Sequence, residues 1–143
     1  MSLRRKQTRS SKKIHNLDFE IQFFEGLIKR DPHYIEALRI LGDAYTKKGL
    51  YEKGLEIDTL LAQLCPHDGT VMYNLACSLA LIGKIDEAFA TLEKAISNGY
   101  TDLKWMNRDR DLESLRNDPR FGKIRQKLSQ ARTTSSPENE QPS

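Results

Sequence analysis

Apolar residues recur along the middle of the chain at helical spacing, in blocks separated by glycine and proline. Leu17, Ile21, Phe24 and Ile28, widened by Phe23 and Leu27, predict a helix over Leu17–Lys29 with Asn16 as its cap. Asp31-Pro32 ends it, because a residue before proline avoids the helical region. Tyr34, Ala37, Leu38, Leu41 and Tyr45 form the stripe of a second helix, Tyr34–Lys48, closed by Gly49 behind Lys47 and Lys48. Tyr51–Leu64 follows with Gly54, Leu55, Ile57 and Leu61, then Gly69–Ile82 with Leu75, Ala76 and Leu79, then Ile85–Ser97 with Ala88, Phe89, Leu92 and Ala95. After Gly99 the spacing lapses. Thr101 or Asp102 starts a helix carrying Leu103, Trp105 and Met106, with Trp105 read as a core residue. Asp111 starts a short turn holding Leu112 and Leu115. Asp118-Pro119 opens a last helix with a single apolar edge of Phe121, Ile124 and Leu128.

The blocks repeat. Pro32 and Pro66 lie 34 residues apart, and the same step relates Gly42 to Ala76, Gly49 to Gly83, Gly54 to Ala88 and Leu61 to Ala95. Small residues fall where two helices must approach, and glycine falls where a helix must stop. A fixed step of this length with this content predicts an all-α fold of stacked helix–turn–helix units, with loops short enough for antiparallel neighbours. The expected organisation is a half-repeat at 16–32, repeats at 33–66 and 67–100, and a degenerate repeat with a cap at 101–128. A stack ending in a helix apolar on one side has a wet outer face.

Charge changes the picture at the ends. The net charge is +3, but Arg4, Arg5, Lys6, Arg9, Lys12 and Lys13 supply six positive charges with no acid among residues 1–13. The remainder therefore carries −3, which argues against nucleic acid binding by the helical body. Residues 1–15 are expected to be a disordered basic arm, the one place where nucleic acid binding finds support, and residues 129–143 a disordered polar tail. Cys65 and Cys77 match no metal or redox spacing and read as reduced thiols. The apolar runs are too short for a membrane span, and a cytoplasmic location is expected.

Residues 33–98 resemble two tetratricopeptide repeats, through Leu41-Gly42, Tyr45, Gly49, Tyr51, Gly54 and Pro66, then Leu75-Ala76, Leu79, Gly83, Ala88, Leu92 and Ala95. Two positions depart from the pattern: Asp58 replaces a large apolar residue and Tyr100 replaces the closing proline. The resemblance implies a right-handed α-solenoid of antiparallel helix pairs whose concave groove holds a peptide or helix of another protein. It places Glu36, Arg39, Asp43 and Thr46, then Tyr73, Asn74, Cys77 and Leu81, then Lys104, Asn107 and Arg108 in that groove. Arg39, Asn74, Lys104 and Arg108 also occupy four of the five places of the carboxylate clamp by which some members grip a chain terminus. Asp43 stands in the fifth, where the family has Asn. An ionised Asp accepts hydrogen bonds but donates none, so it either repels the carboxylate that an Asn amide would hold or pairs with Arg39 one turn away and cancels it.

No enzymatic set emerges. His33 and His67 are separated by one repeat and do not share a metal. Asp109, Asp111 and Glu113 alternate with arginine and read as a salt-bridged surface. There is no glycine-rich phosphate loop and no supported nucleophile–base pair. The expectation is a non-enzymatic interaction module without cofactor or metal, whose partner is another protein. The helix at 17–29, lacking its own partner helix, raises a homodimer as the alternative.

Overall fold

The computed structural model describes the backbone of residues 2–140 and the side chains of residues 16–131. The expected basic arm and most of the polar tail lie outside the residues whose side chains are described. Every element is helical: α1 (Ser2–Arg30), α2 (Ile35–Lys48), α3 (Tyr51–Leu64), α4 (Gly69–Leu81), α5 (Ile85–Ser97), α6 (Leu103–Arg108), a 3₁₀ turn (Arg110–Leu115) and α7 (Pro119–Glu140). No strand occurs among the described residues. The chain divides into two compact units, Met1–Leu64 and Cys65–Ser143.

In the first unit α2 packs against both α1 and α3. Ile21 of α1 meets Leu41, Ala44 and Tyr45 of α2, with Leu17, Phe24, Ile28 and Ile57 closing around them. The Tyr45 hydroxyl donates to Glu25, a polar tie between α1 and α2. Burial, then Glu25, pushes the Tyr45 phenol above its ordinary range. Gly42 is where α3 comes close: an added Cβ there would lie 3.0 Å from Asp58 Oδ1 and 3.1 Å from Ile57 Cγ2. This small neighbour makes room for the carboxylate that stands where the repeat pattern has a large apolar residue. Asp58 is buried, and no buried side-chain polar atom among the described residues lacks a partner. Three expectations are corrected. α1 runs through Asn16, which is therefore no cap. Phe23 and Tyr34, placed in the apolar stripes, are 49% and 44% exposed.

In the second unit α4 and α5 pair, α4 packs on the 3₁₀ turn, and α7 packs on α5 and α6. Ala76, Ala88, Leu92 and Ala95 are fully buried along with Met106, Leu112, Leu115 and Leu128. Asp68 caps α4 by accepting from the Thr70 and Val71 N–H groups. α7 buries Phe121, Ile124 and Leu128, the single edge its sequence offers.

Three helices end alike. Gly49, Gly83 and Gly99 adopt φ of 88°, 85° and 97°, left-handed values that a residue with a Cβ rarely adopts. After each, the next N–H reaches back: Leu50 to Tyr45 O, Lys84 to Leu79 O and Tyr100 to Ala95 O, all at 2.9 Å. These bonds satisfy carbonyls that the helix end would leave open.

Candidate functional site

The second unit carries a recess set beside a buried polar network. Tyr100 follows the αL glycine at the end of α5, and its ring stacks on Tyr73 of α4, with centroids 4.2 Å apart and planes 8° from parallel. Tyr73 donates its hydroxyl to Asp109 Oδ2 at 2.6 Å, and the Cys77 thiol lies 3.6 Å from the same oxygen. Asp109 Oδ1 accepts the Asp111 N–H at 3.0 Å, so the carboxylate also caps the 3₁₀ turn. Arg116 fixes the preceding loop by donating to Asn107 O at 2.7 Å and Asp109 O at 2.6 Å. The segment α6–3₁₀ is thus fastened to α4 by a buried polar network.

That network corrects four expectations. Cys77 is buried rather than open to a groove, and Tyr73, expected in the groove, is 3% exposed. Asp109 is buried, not part of a salt-bridged surface, and it rather than Asp111 starts the 3₁₀ turn. Trp105, expected in the core, is 47% exposed, while its neighbour Met106 is buried. Burial first, then the nearby carboxylate of Asp109, pushes the Cys77 thiol well up. Tyr73 and Tyr100 are also raised, burial again coming first. A thiol in that state is a poor nucleophile. Cys77, Asp109 and Asp111 offer ligand atoms within 4.8 Å of one another. Both oxygens of Asp109 already accept hydrogen bonds. The arrangement serves as a hydrogen-bonded core.

Beside the network opens a recess of about 320 Å³ lined by Thr70, Tyr73, Asn74, Gly99, Tyr100, Thr101, Asp102 and Trp105. α4 presents Thr70 and Asn74 one turn apart, and the α5–α6 connection supplies most of the rest. Asp102 Oδ1 caps α6 by accepting from the Trp105 N–H at 3.0 Å, which fixes the start of the helix that carries the indole. Of the residues expected in the groove, Asn74, Lys104, Asn107 and Arg108 are exposed in this unit. Arg39 and Asp43 belong to the first unit, so the clamp-like set is divided between the two. Asp43 pairs with Lys47 at 2.9 Å, and that contact raises the Lys47 ammonium. Reading by spacing missed Thr70, Tyr100, Thr101, Asp102 and the burial of Asp109. The one signal for them was Tyr100 in place of the usual proline.

No protein-family model matches the chain. The crystal structure of MamA, a tetratricopeptide-repeat protein, superposes with a TM-score of 0.68 over 85% of this chain and 72% of that one, at 19% identity. The fold is a tetratricopeptide-repeat fold. A MamA double mutant gives the same answer, with a TM-score of 0.67 and 13% identity over 87% of this chain and 71% of that one. In sequence, the chain is 34% identical over 83 residues to a chloroplastic protein of Arabidopsis thaliana. It is 32% identical over 80 residues to the peroxisomal targeting signal receptor of Candida albicans. Each match takes in 56% of this chain but only 25% and 14% of those two proteins. Among the described residues no helix is long and apolar enough to cross a membrane.

Proposed function

We propose that this protein is a non-enzymatic interaction module of the cytoplasm that holds an extended or helical segment of another protein. The observation that carries the reading is the exposure of Asn74, which lines an aromatic-walled recess, and of Lys104, Asn107 and Arg108 on α6. The set sits on a repeat fold, in a chain similar in sequence to a protein named as a receptor. The one buried thiol is raised and hydrogen-bonded, which supports a binding rather than a catalytic role. On the first unit, Arg39 and Asp43 are proposed contact residues in their own right, with Asp43 part-neutralised by Lys47. The experiment is an affinity capture comparing the wild type with the combined Arg39→Ala, Asn74→Ala, Arg108→Ala variant. Loss of a specific partner with an unchanged thermal midpoint is expected. Equal capture by a folded variant overturns the reading.

A second reading, self-association, is favoured by one observation. Phe19 and Phe23 lie one turn apart on α1 and are 73% and 49% exposed. Such a pair on a helix face is an apolar patch that a second copy of the same helix can cover.

A further inference from the structure

We propose that the recess beside α4 and α6 receives an arginine side chain from the partner segment, so that the surface selects basic segments over acidic or carboxylate-terminated ones. This deepens the reading above and rests on it. Asp102 is the single charged side chain among the described residues lining the recess. One of its oxygens caps α6, and among the described residues no cation is paired with it. The other walls are the exposed indole of Trp105, which offers the open aromatic face, the largely buried stacked pair Tyr73 and Tyr100, the Asn74 amide and the hydroxyls of Thr70 and Thr101.

A guanidinium suits this set. It is planar, stacks on an aromatic face, and donates several hydrogen bonds in fixed directions to a carboxylate, an amide oxygen and hydroxyls. The rival occupants fit less well. A carboxylate would be brought toward the like charge of Asp102. Lys104 and Arg108, which it would need, do not line the recess. An apolar side chain would strip water from the Asp102 carboxylate and return no hydrogen bond. The carboxylate-clamp role implied by the family resemblance is therefore not the one this recess supports.

The full chain is titrated with N-acetyl-arginine amide, N-acetyl-glutamine amide and N-acetyl-glutamate amide. The readouts are the fluorescence and the indole N–H resonance of Trp105, which is the one tryptophan in the sequence. Arginine is expected to shift Trp105 and the Asn74 side-chain amide, with glutamine and glutamate leaving both in place. Asp102→Asn should weaken arginine binding by about tenfold. It should keep the thermal midpoint, because Asn caps a helix as well as Asp does. Added salt should weaken the wild-type response. Equal shifts from arginine and glutamine, an unchanged response in Asp102→Asn, or a stronger response to glutamate each overturn the proposal. A glutamate response that disappears in a Lys104→Ala, Arg108→Ala variant overturns it while leaving the interaction module standing. A Trp105 shift that follows protein concentration alone assigns the recess to a second copy and overturns it too. The capture experiment above reads the broader function independently of these outcomes.

Discussion

Gly69 shows what a single missing atom permits. A Cβ at this position would lie 2.7 Å from Tyr100 N, 2.8 Å from Asn98 O and 2.9 Å from Ala95 O. All three neighbours are backbone atoms of the α5 terminus, so none can swing away. Gly69→Ala is therefore expected to lower unfolding free energy by about 1–3 kcal/mol, the range for forced overpacking, in a urea titration. The same change at Gly26, where a Cβ meets nothing within 4 Å, should be neutral or stabilising, since Ala is the better helix former. The two thiols separate just as sharply. Cys77 is buried and its thiol is pushed well up, while Cys65 is half-buried. A thiol-reactive chromophore should label one cysteine of the native protein, Cys65, and reach Cys77 only after denaturant is added. Fast labelling of both in the folded state would contradict the buried network. Tyr73→Phe tests that network directly. It removes the donor to Asp109 and leaves a buried carboxylate short of a partner, at an expected cost of about 1–3 kcal/mol.

At the scale of elements, α7 adds a charged contact to its buried apolar edge. Its start is organised by Asp118, which accepts from the Arg120 N–H at 2.9 Å and from its guanidinium at 2.8 Å. Arg120 also reaches Asp86 of α5 at 2.8 Å and lies 4.4 Å over the Phe89 ring. Hydrogen bonds from Arg120 hold the Asp118 carboxyl at about 2, down from 3.8. A depressed carboxylate contributes its stability in full above the unfolded value. That contribution is lost as pH falls from 3.8 toward about 2. Carbon-detected NMR should show Asp118 titrating near 2 in the wild type and moving up in Arg120→Ala, with the stability difference between the two shrinking across that window. The helix pairs α2–α3 and α4–α5 were legible beforehand because stripe, glycine stop and proline all agree there. α6 and the 3₁₀ turn were legible as elements but not in their orientation. Trp105 and Met106 are adjacent and both apolar, and which of them turns inward is decided by Asp102 capping α6 and Asp109 reaching Tyr73. The Asp109 contact joins residues far apart in sequence, and spacing carries no sign of it.

At the scale of the whole molecule, the repeat pattern foretold a chain of helix pairs. The exposed face of α1 bears on assembly, and its weight is quantitative. Burying a phenylalanine side chain fully is worth about 1.5–3 kcal/mol. Phe19 at 73% and Phe23 at 49% exposure each offer a fraction of that. A two-fold contact counts every residue twice, so four rings supply about 4–7 kcal/mol. Association itself costs about 4–15 kcal/mol in lost freedom. The balance favours a weak dimer at best, populated only at high protein concentration, rather than an obligate one. Sedimentation equilibrium should accordingly show an apparent mass that rises with loading concentration in the wild type and stays at the monomer value in Phe19→Ser, Phe23→Ser. Phe19 faces water, while Phe23 is 49% exposed with its ring edge-on to Phe24, so the substitutions should lower the thermal midpoint only modestly. A wild type that remains monomeric at every loading would leave the α1 face to a different occupant and remove self-association from consideration.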